Sequence, residues 1–342
     1  MLPLAREHGE TLRTQLKPWT EVEDDLFHCD VNDGLLARYK AFVRDLPQYP
    51  GVLGSGAWQP SIEVERRKSD PTLYPYCLFT AYFANVYFGV RQAIEIDSLR
   101  YAAEQLSERV ERDWVLGALV VAASSQATTY ASHFAQPAVG VRDLDGLSLN
   151  RLSQILEKRS RSIYHEFSVR LLNLSHQSER LPRSIESVAG PWQNALESFA
   201  RCRPKGPVAV YLDAPYTREE YSRYYHVLET LITYRYPSAI GHGKVPAKQG
   251  DERFASELFT RDKRAMAARL SRIIIEVLRR GWLCAWSYAD TGHASIPLVL
   301  ETVLQSVTCE ARSFAAPFRH TSQRGIPHKQ VTEYLLLFEP CR

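Results

Sequence analysis

Apolar and polar residues are arranged differently in the two halves of the chain. From about residue 205 onward, short apolar runs end in turn residues, and the stretches between them have helical spacing. Val208-Ala-Val-Tyr-Leu212 reads as a strand that stops abruptly at Asp213-Ala214-Pro215-Tyr216. A helix is predicted from near Glu219 to about Tyr234, and another over roughly Lys263 to Arg280. A strand at Trp282–Ser287, a helix over 295–306, a strand near 308–314 and a last strand at Thr332–Phe338 complete the series. Strands alternating with helices at this spacing predict an α/β sheet.

The first 205 residues are harder to divide. Residues 1–75 read as polar and irregular, punctuated by Pro50-Gly51 and Gly54-Ser55-Gly56. Residues 77–97 are apolar and aromatic. Their end, Ala93-Ile94-Glu95-Ile96-Asp97, reads as a short buried strand with an acid at its tip, and Ser98 caps a helix after it. Residues 113–123 fit a buried helix or strand. Residues 148–180 carry a helical period through Leu152, Ile155, Ile163 and Phe167, with Arg151, Lys158, Arg159, Arg161 and Arg170 outnumbering Glu157 and Glu166 on the polar face. Pro204 to Pro207 read as a linker.

At 342 residues, 45% hydrophobic and 24% charged, the chain suits one large domain, or one with a smaller companion, and not extended disorder. No apolar run reaches the roughly 18 residues that span a bilayer. Residues 1–10 lack a signal-peptide core, so the cytoplasm is the expected compartment. The six cysteines are scattered without metal-ligand spacing and read as separate reduced thiols. A net charge of +3 permits nucleic-acid binding without demanding it.

The sharpest chemistry is Asp213-Ala214-Pro215-Tyr216 at the carboxyl end of an apolar strand, where open α/β sheets hold their ligands. An adenine amine is a poor nucleophile because its lone pair is delocalised into the ring. A carboxylate and a neighbouring backbone carbonyl can accept both amine hydrogens and free that pair. Pro215 stiffens the turn, and Tyr216 offers a face for an extruded base. A plain Asp turn with Tyr216 packed on the core is the competing reading. The loop Arg319-His320-Thr321-Ser322-Gln323-Arg324-Gly325-Ile326-Pro327-His328-Lys329 is basic enough to grip phosphates. The mixed run Glu63–Lys68 reads as a solvated face.

The tetrapeptide and its surroundings resemble the adenine-specific DNA methyltransferases, whose catalytic motif is Asp-Pro-Pro-Tyr. The likeness continues through Tyr221-Ser222-Arg223-Tyr224-Tyr225-His226-Val227-Leu228-Glu229-Thr230, then Trp286-Ser287-Tyr288-Ala289-Asp290-Thr291-Gly292, then His328-Lys329-Gln330-Val331-Thr332-Glu333-Tyr334-Leu335-Leu336. It spans about 205–340. Upstream, Tyr87–Asp97 is similar to the segment leading to the family's acidic cofactor residue, and Thr128–Phe134 matches a further element imperfectly.

The resemblance implies a Rossmann-like methyltransferase fold, with a mostly parallel seven-stranded sheet. Residues 1–119 would form the N-terminal region and cofactor half, 120–204 a helical insertion for target recognition, and 205–342 the catalytic half. It implies S-adenosylmethionine as cofactor, bound by Phe79, Ala81, Phe83 and Asp97, with Asp97 on the ribose hydroxyls. It implies catalysis by Asp213, Ala214, Pro215 and Tyr216, and DNA contacts from Tyr221, Tyr224, Arg319, Arg324 and Lys329. It implies no metal and allows a restriction or defence partner. Two departures stand out. Ala214 replaces a proline, keeping the carbonyl but loosening the loop. In the cofactor loop Ala81 and Phe83 replace both glycines, so Phe83 should crowd the ligand. Three readings stay open there: Gly54-Ser55-Gly56 or Gly89 serves instead, the loop binds differently, or cofactor binding is lost. The alternatives are accordingly an inactive methyltransferase-like DNA-binding or complex subunit, and an RNA adenine methyltransferase.

Overall fold

The computed structural model describes residues 1–51, 58–129, 134, 136–138, 144–178, 187–202, 206–215, 220–237, 240–247, 256–320 and 329–341, with 242, 318–320, 329 and 330 described by backbone alone. The chain divides into two units. The first is Met1–Pro182 with Arg223–Arg253, and the second is Arg183–Ser222 with Phe254–Arg342.

The first unit is helical. Its elements are α1 (Leu2–Gln15), α2 (Lys17–Phe27), α3 (Asp33–Asp45), α4 (Pro60–Lys68), α5 (Leu78–Tyr82), α6 (Val90–Glu104), α7 (Arg109–Gln126), α8 (Leu149–Ser160) and α9 (Ile163–Ser178). In chain order α10 (Trp192–Arg201) and β1 (Ala209–Asp213) follow in the second unit. Helix α11 (Tyr221–Thr233) starts there and continues into the first.

The stretch 1–75, expected to be irregular, holds four helices. Each buries a narrow face within a mostly polar sequence: α1 buries Ala5, His8, Gly9 and Leu12, α2 only Glu23 and Leu26, and α3 buries Leu35, Tyr39, Phe42 and Val43. Asn32 caps α3 by accepting from the Leu35 amide at 2.9 Å. The strand expected over Ala93–Asp97 is instead the middle of α6. Twelve of the 15 residues of α6 are buried, so its sequence shows no polar face to betray a helix. Ser98, expected as a cap, lies mid-helix and bonds the Ile94 carbonyl and His8 Nδ1.

The second unit carries the only sheet among the described residues. It adds α12 (Lys263–Arg279), β2 (Leu283–Ala289), α13 (Ile296–Ser306), β3 (Cys309–His320) and β4 (Lys329–Pro340) to α10 and β1. The strand order is β1-β2-β4-β3. Strands β1 and β2 are parallel, and β4 runs antiparallel between β2 and β3. Met266, Leu270, Ile274 and Val277 of α12, with Val299 and Val303 of α13, cover Cys284, Trp286 and Tyr288 in a separate core.

The expected fold class is therefore corrected. The structure is 59% helical and has a four-stranded mixed sheet with one parallel pair, not a mostly parallel seven-stranded Rossmann-like sheet. The apolar segments assigned to a cofactor half fold as helices packed on one another.

Candidate functional site

Parallel pairing brings together two segments that lie far apart in sequence. Asp213 at the end of β1 is in register with Ser287 near the end of β2. The Asp213-Ala214-Pro215 turn and the Ser287–Asp290 strand end thus share the carboxyl edge of the sheet, the usual ligand edge of parallel strands. Asp213 is exposed, while the Ala214 methyl is packed into the second core and anchors the turn. The Tyr211 hydroxyl donates to Ser287 Oγ at 2.8 Å across the two strands. Tyr216 lies outside the described residues.

Tyr288, which the sequence offers only as one position of a motif, organises this edge. Its ring is fully buried, and its hydroxyl accepts from the Ala294 amide at 2.9 Å and lies 3.5 Å from the Pro215 carbonyl oxygen. Burial raises its pKa. Gly292 sits against that ring: a Cβ there would stand 2.2 Å from Tyr288 Cε1, so the glycine is required by close approach. The Asp290 amide donates to the Thr332 carbonyl at 2.9 Å, which fastens the loop after β2 to β4.

The same loop borders a cleft of about 470 Å³ lined by Lys263, Asp290, His293, Ser295 and Tyr334, among others. Lys263 and Asp290 are exposed. His293 Nε2 is buried with no hydrogen-bond partner among the described residues. Asp290 and Tyr334 lie within the segments that carry the family resemblance, and Lys263, His293 and Ser295 lie outside them. A lysine starting a helix and a histidine in a loop give no signal until the fold brings them together.

The residues expected to hold the cofactor lie elsewhere, in the helical unit, and have other work. Phe79, Ala81 and Phe83 are completely buried in its core. Asp97 is completely buried too. Its Oδ1 accepts from the Phe79 amide at 2.8 Å and the Tyr234 hydroxyl at 2.5 Å. Its Oδ2 accepts from the Thr80 amide at 2.8 Å and the Thr80 hydroxyl at 2.7 Å. The carboxylate thus caps α5, and no oxygen is left for a ribose. Burial outweighs these bonds and pushes its pKa up to about 6. Gly89, the open alternative for the lost glycines, is the N-cap residue of α6, and a Cβ there would meet Glu23 Oε1 at 2.7 Å. Gly54-Ser55-Gly56 lies outside the described residues. These residues do not fit an adenosyl cofactor.

Of the expected DNA contacts, Tyr221 stacks on Phe259 with centroids 6.3 Å apart and planes 5° apart. Tyr224 is half-buried, and its carbonyl accepts from the Phe134 amide at 3.2 Å. His226 is buried with a carbonyl oxygen against each ring nitrogen, Arg223 at 3.0 Å and Gly243 at 3.1 Å, which gives it a structural place. Arg319 and Lys329 are placed by backbone at the ends of β3 and β4, and Arg324 lies outside the described residues. In the basic stretch 151–170, Arg159 is buried and bonds Tyr39 Oη at 2.8 Å and Asn85 Oδ1 at 2.9 Å, so it does not face solvent.

Among the described residues no three His, Cys, Asp or Glu side chains converge as metal ligands, and no helix is long and apolar enough to cross a membrane. No protein-family model matches the chain, and neither the curated proteins nor the solved structures searched contain a match.

Proposed function

We propose that the second unit transfers a methyl group to the exocyclic amine of adenine in DNA. The observation that carries this reading is the convergence at one sheet edge of Asp213-Ala214-Pro215 and Ser287–Asp290, 74 positions apart and in register. These are two of the ordered segments on which the likeness to adenine methyltransferases rests. In this reading an extruded adenine lies against the turn, with Tyr216 as its stacking face. The Asp213 carboxylate and the Ala214 carbonyl accept the amine hydrogens and localise the nitrogen lone pair. Tyr288 holds the Pro215 side of the turn in place. The expected donor is S-adenosylmethionine, and its seat is not the sealed set of Phe79, Ala81, Phe83 and Asp97.

The test is incorporation of labelled methyl from S-adenosylmethionine into duplex DNA. Asp213→Ala should lower incorporation on the order of a hundredfold or more, the scale seen when one preorganised polar group is removed. Equal incorporation by the two chains ends the catalytic assignment.

A second reading is a DNA-binding subunit without catalysis, and the sealed Asp97 favours it. Calorimetric titration with S-adenosylmethionine separates the two. Tight stoichiometric binding removes the second reading, and absence of heat removes the first.

A further inference from the structure

We infer that the cleft at the end of β2 is a subsite for one nucleotide of the bound strand, next to the target base. The inference rests on the reading of this unit as acting on DNA. Two independent observations carry it.

The first is the cleft itself. Its volume of about 470 Å³ falls in the range of small-molecule sites and suits a single nucleotide. Its lining offers a distinct partner for each part of one. Tyr334 is a half-buried aromatic ring on which a base can stack. Lys263 is an exposed cation at the first turn of α12, free to meet a phosphate. Asp290 is an exposed carboxylate able to accept from an exocyclic base amine. The walls are fixed by the Asp290–Thr332 and Ala294–Tyr288 bonds, so the site is preformed.

The second observation is the direction of the hairpin. Ala289 at the end of β2 pairs with Glu333 of β4, and β3 and β4 then continue through four more pairs, ending at His320 and Lys329. The hairpin therefore projects past the sheet on the same edge as Asp213 and the cleft. From residue 313 to 332 the sequence contains Arg319, Arg324 and Lys329 and no acid, while Arg312, nearer the opposite end of the hairpin, pairs with Glu339. A polyanion drawn to this edge passes both the cleft and the Asp213 turn.

The experiment is fluorescence anisotropy of a labelled DNA oligonucleotide with the full chain, repeated over a range of salt. Tyr334→Ala should weaken binding at least about fivefold, the low end for losing one base stack, while Tyr334→Phe should bind as wild type does. Lys263→Ala, at an exposed position, should weaken binding and flatten the log–log salt slope by about 0.9, one phosphate contact. If Lys263→Ala and Tyr334→Ala match wild type in affinity and slope, the subsite is wrong, and methyl transfer stands or falls by its own assay. If wild type binds no oligonucleotide, subsite and function fall together. If Lys263→Ala abolishes calorimetric binding of S-adenosylmethionine while oligonucleotide affinity is unchanged, the cleft belongs to the donor and the inference is overturned.

Discussion

At the scale of single residues, Asp97 shows how a residue with the right sequence neighbours can take a purely structural role. Its proton is held more tightly in the folded chain, up to about pH 6, than at the ordinary value of 3.8. Between those values the folded state binds more protons than the unfolded state, so stability falls as pH rises from about 4 to 6 and then levels off. That shift corresponds to a contribution on the order of 3 kcal/mol. Asp97→Asn has no such titration, and its amide nitrogen would face the two Thr80 donors. Its stability at pH 7 should be lower by about 1–3 kcal/mol, and the wild-type decline between pH 4 and 6 should shrink by the Asp97 share. Denaturant melts across that pH range check both, and parallel profiles for the two chains would contradict this account. Gly292 is the counterpart in the second core. Gly292→Ala forces a methyl into the Tyr288 ring, which is buried and bonded to Ala294, so a loss of about 2 kcal/mol or more is expected in thermal melts. A loss below about 0.5 kcal/mol would mean that the loop gives way freely.

At the scale of elements, three buried carboxylates serve helix starts in the first unit. Glu23 of α2 accepts from the Val90 and Arg91 amides at 2.7 and 2.9 Å and caps α6. Glu95 of α6 accepts from the Ile163 and Tyr164 amides at 2.5 and 3.2 Å and caps α9. Asp97 caps α5. Each positive helix end stabilises a charge that burial opposes. Glu23→Ala should cost about 2–4 kcal/mol by stranding two amides, and it should speed hydrogen exchange at the start of α6. These caps act across sequence separations of 17 to 69 residues, and so they left no local pattern to read. In contrast, β1, α11, α12, β2, α13 and the last two strands were legible because each has one buried and one exposed face, or a short apolar run closed by turn residues. Helix α6 failed on the same rule, since a segment buried all round has no period. The Asp213 edge was legible in part: the residues were found by pattern, but their pairing with Ser287 and the cleft beside Tyr334 exist only once the strands are aligned.

At the scale of the molecule, net charge conceals its own distribution. The chain has 42 Lys and Arg against 39 Asp and Glu. Three of those cations and none of the acids fall between residues 313 and 332, which leaves the remainder with 39 against 39. A chain that looks nearly neutral thus carries a charge equal to its whole net excess in the segment 313–332, whose described strand ends, His320 and Lys329, lie on the edge where β1 and β2 end. Counterion release makes this a quantitative matter: each phosphate neutralised on duplex DNA adds about 0.9 to the slope of log affinity against log salt. Replacing Arg319, Arg324 and Lys329 together with alanine should therefore lower the slope by up to about 2.7 and weaken binding most at low salt. The same triple change should leave the melting temperature nearly unmoved if these charges serve binding and not folding. Oligonucleotide titrations at several salt concentrations read the slope directly. An unchanged slope with intact folding would place the polyanion on another face, and the hairpin would then be only the edge of the sheet.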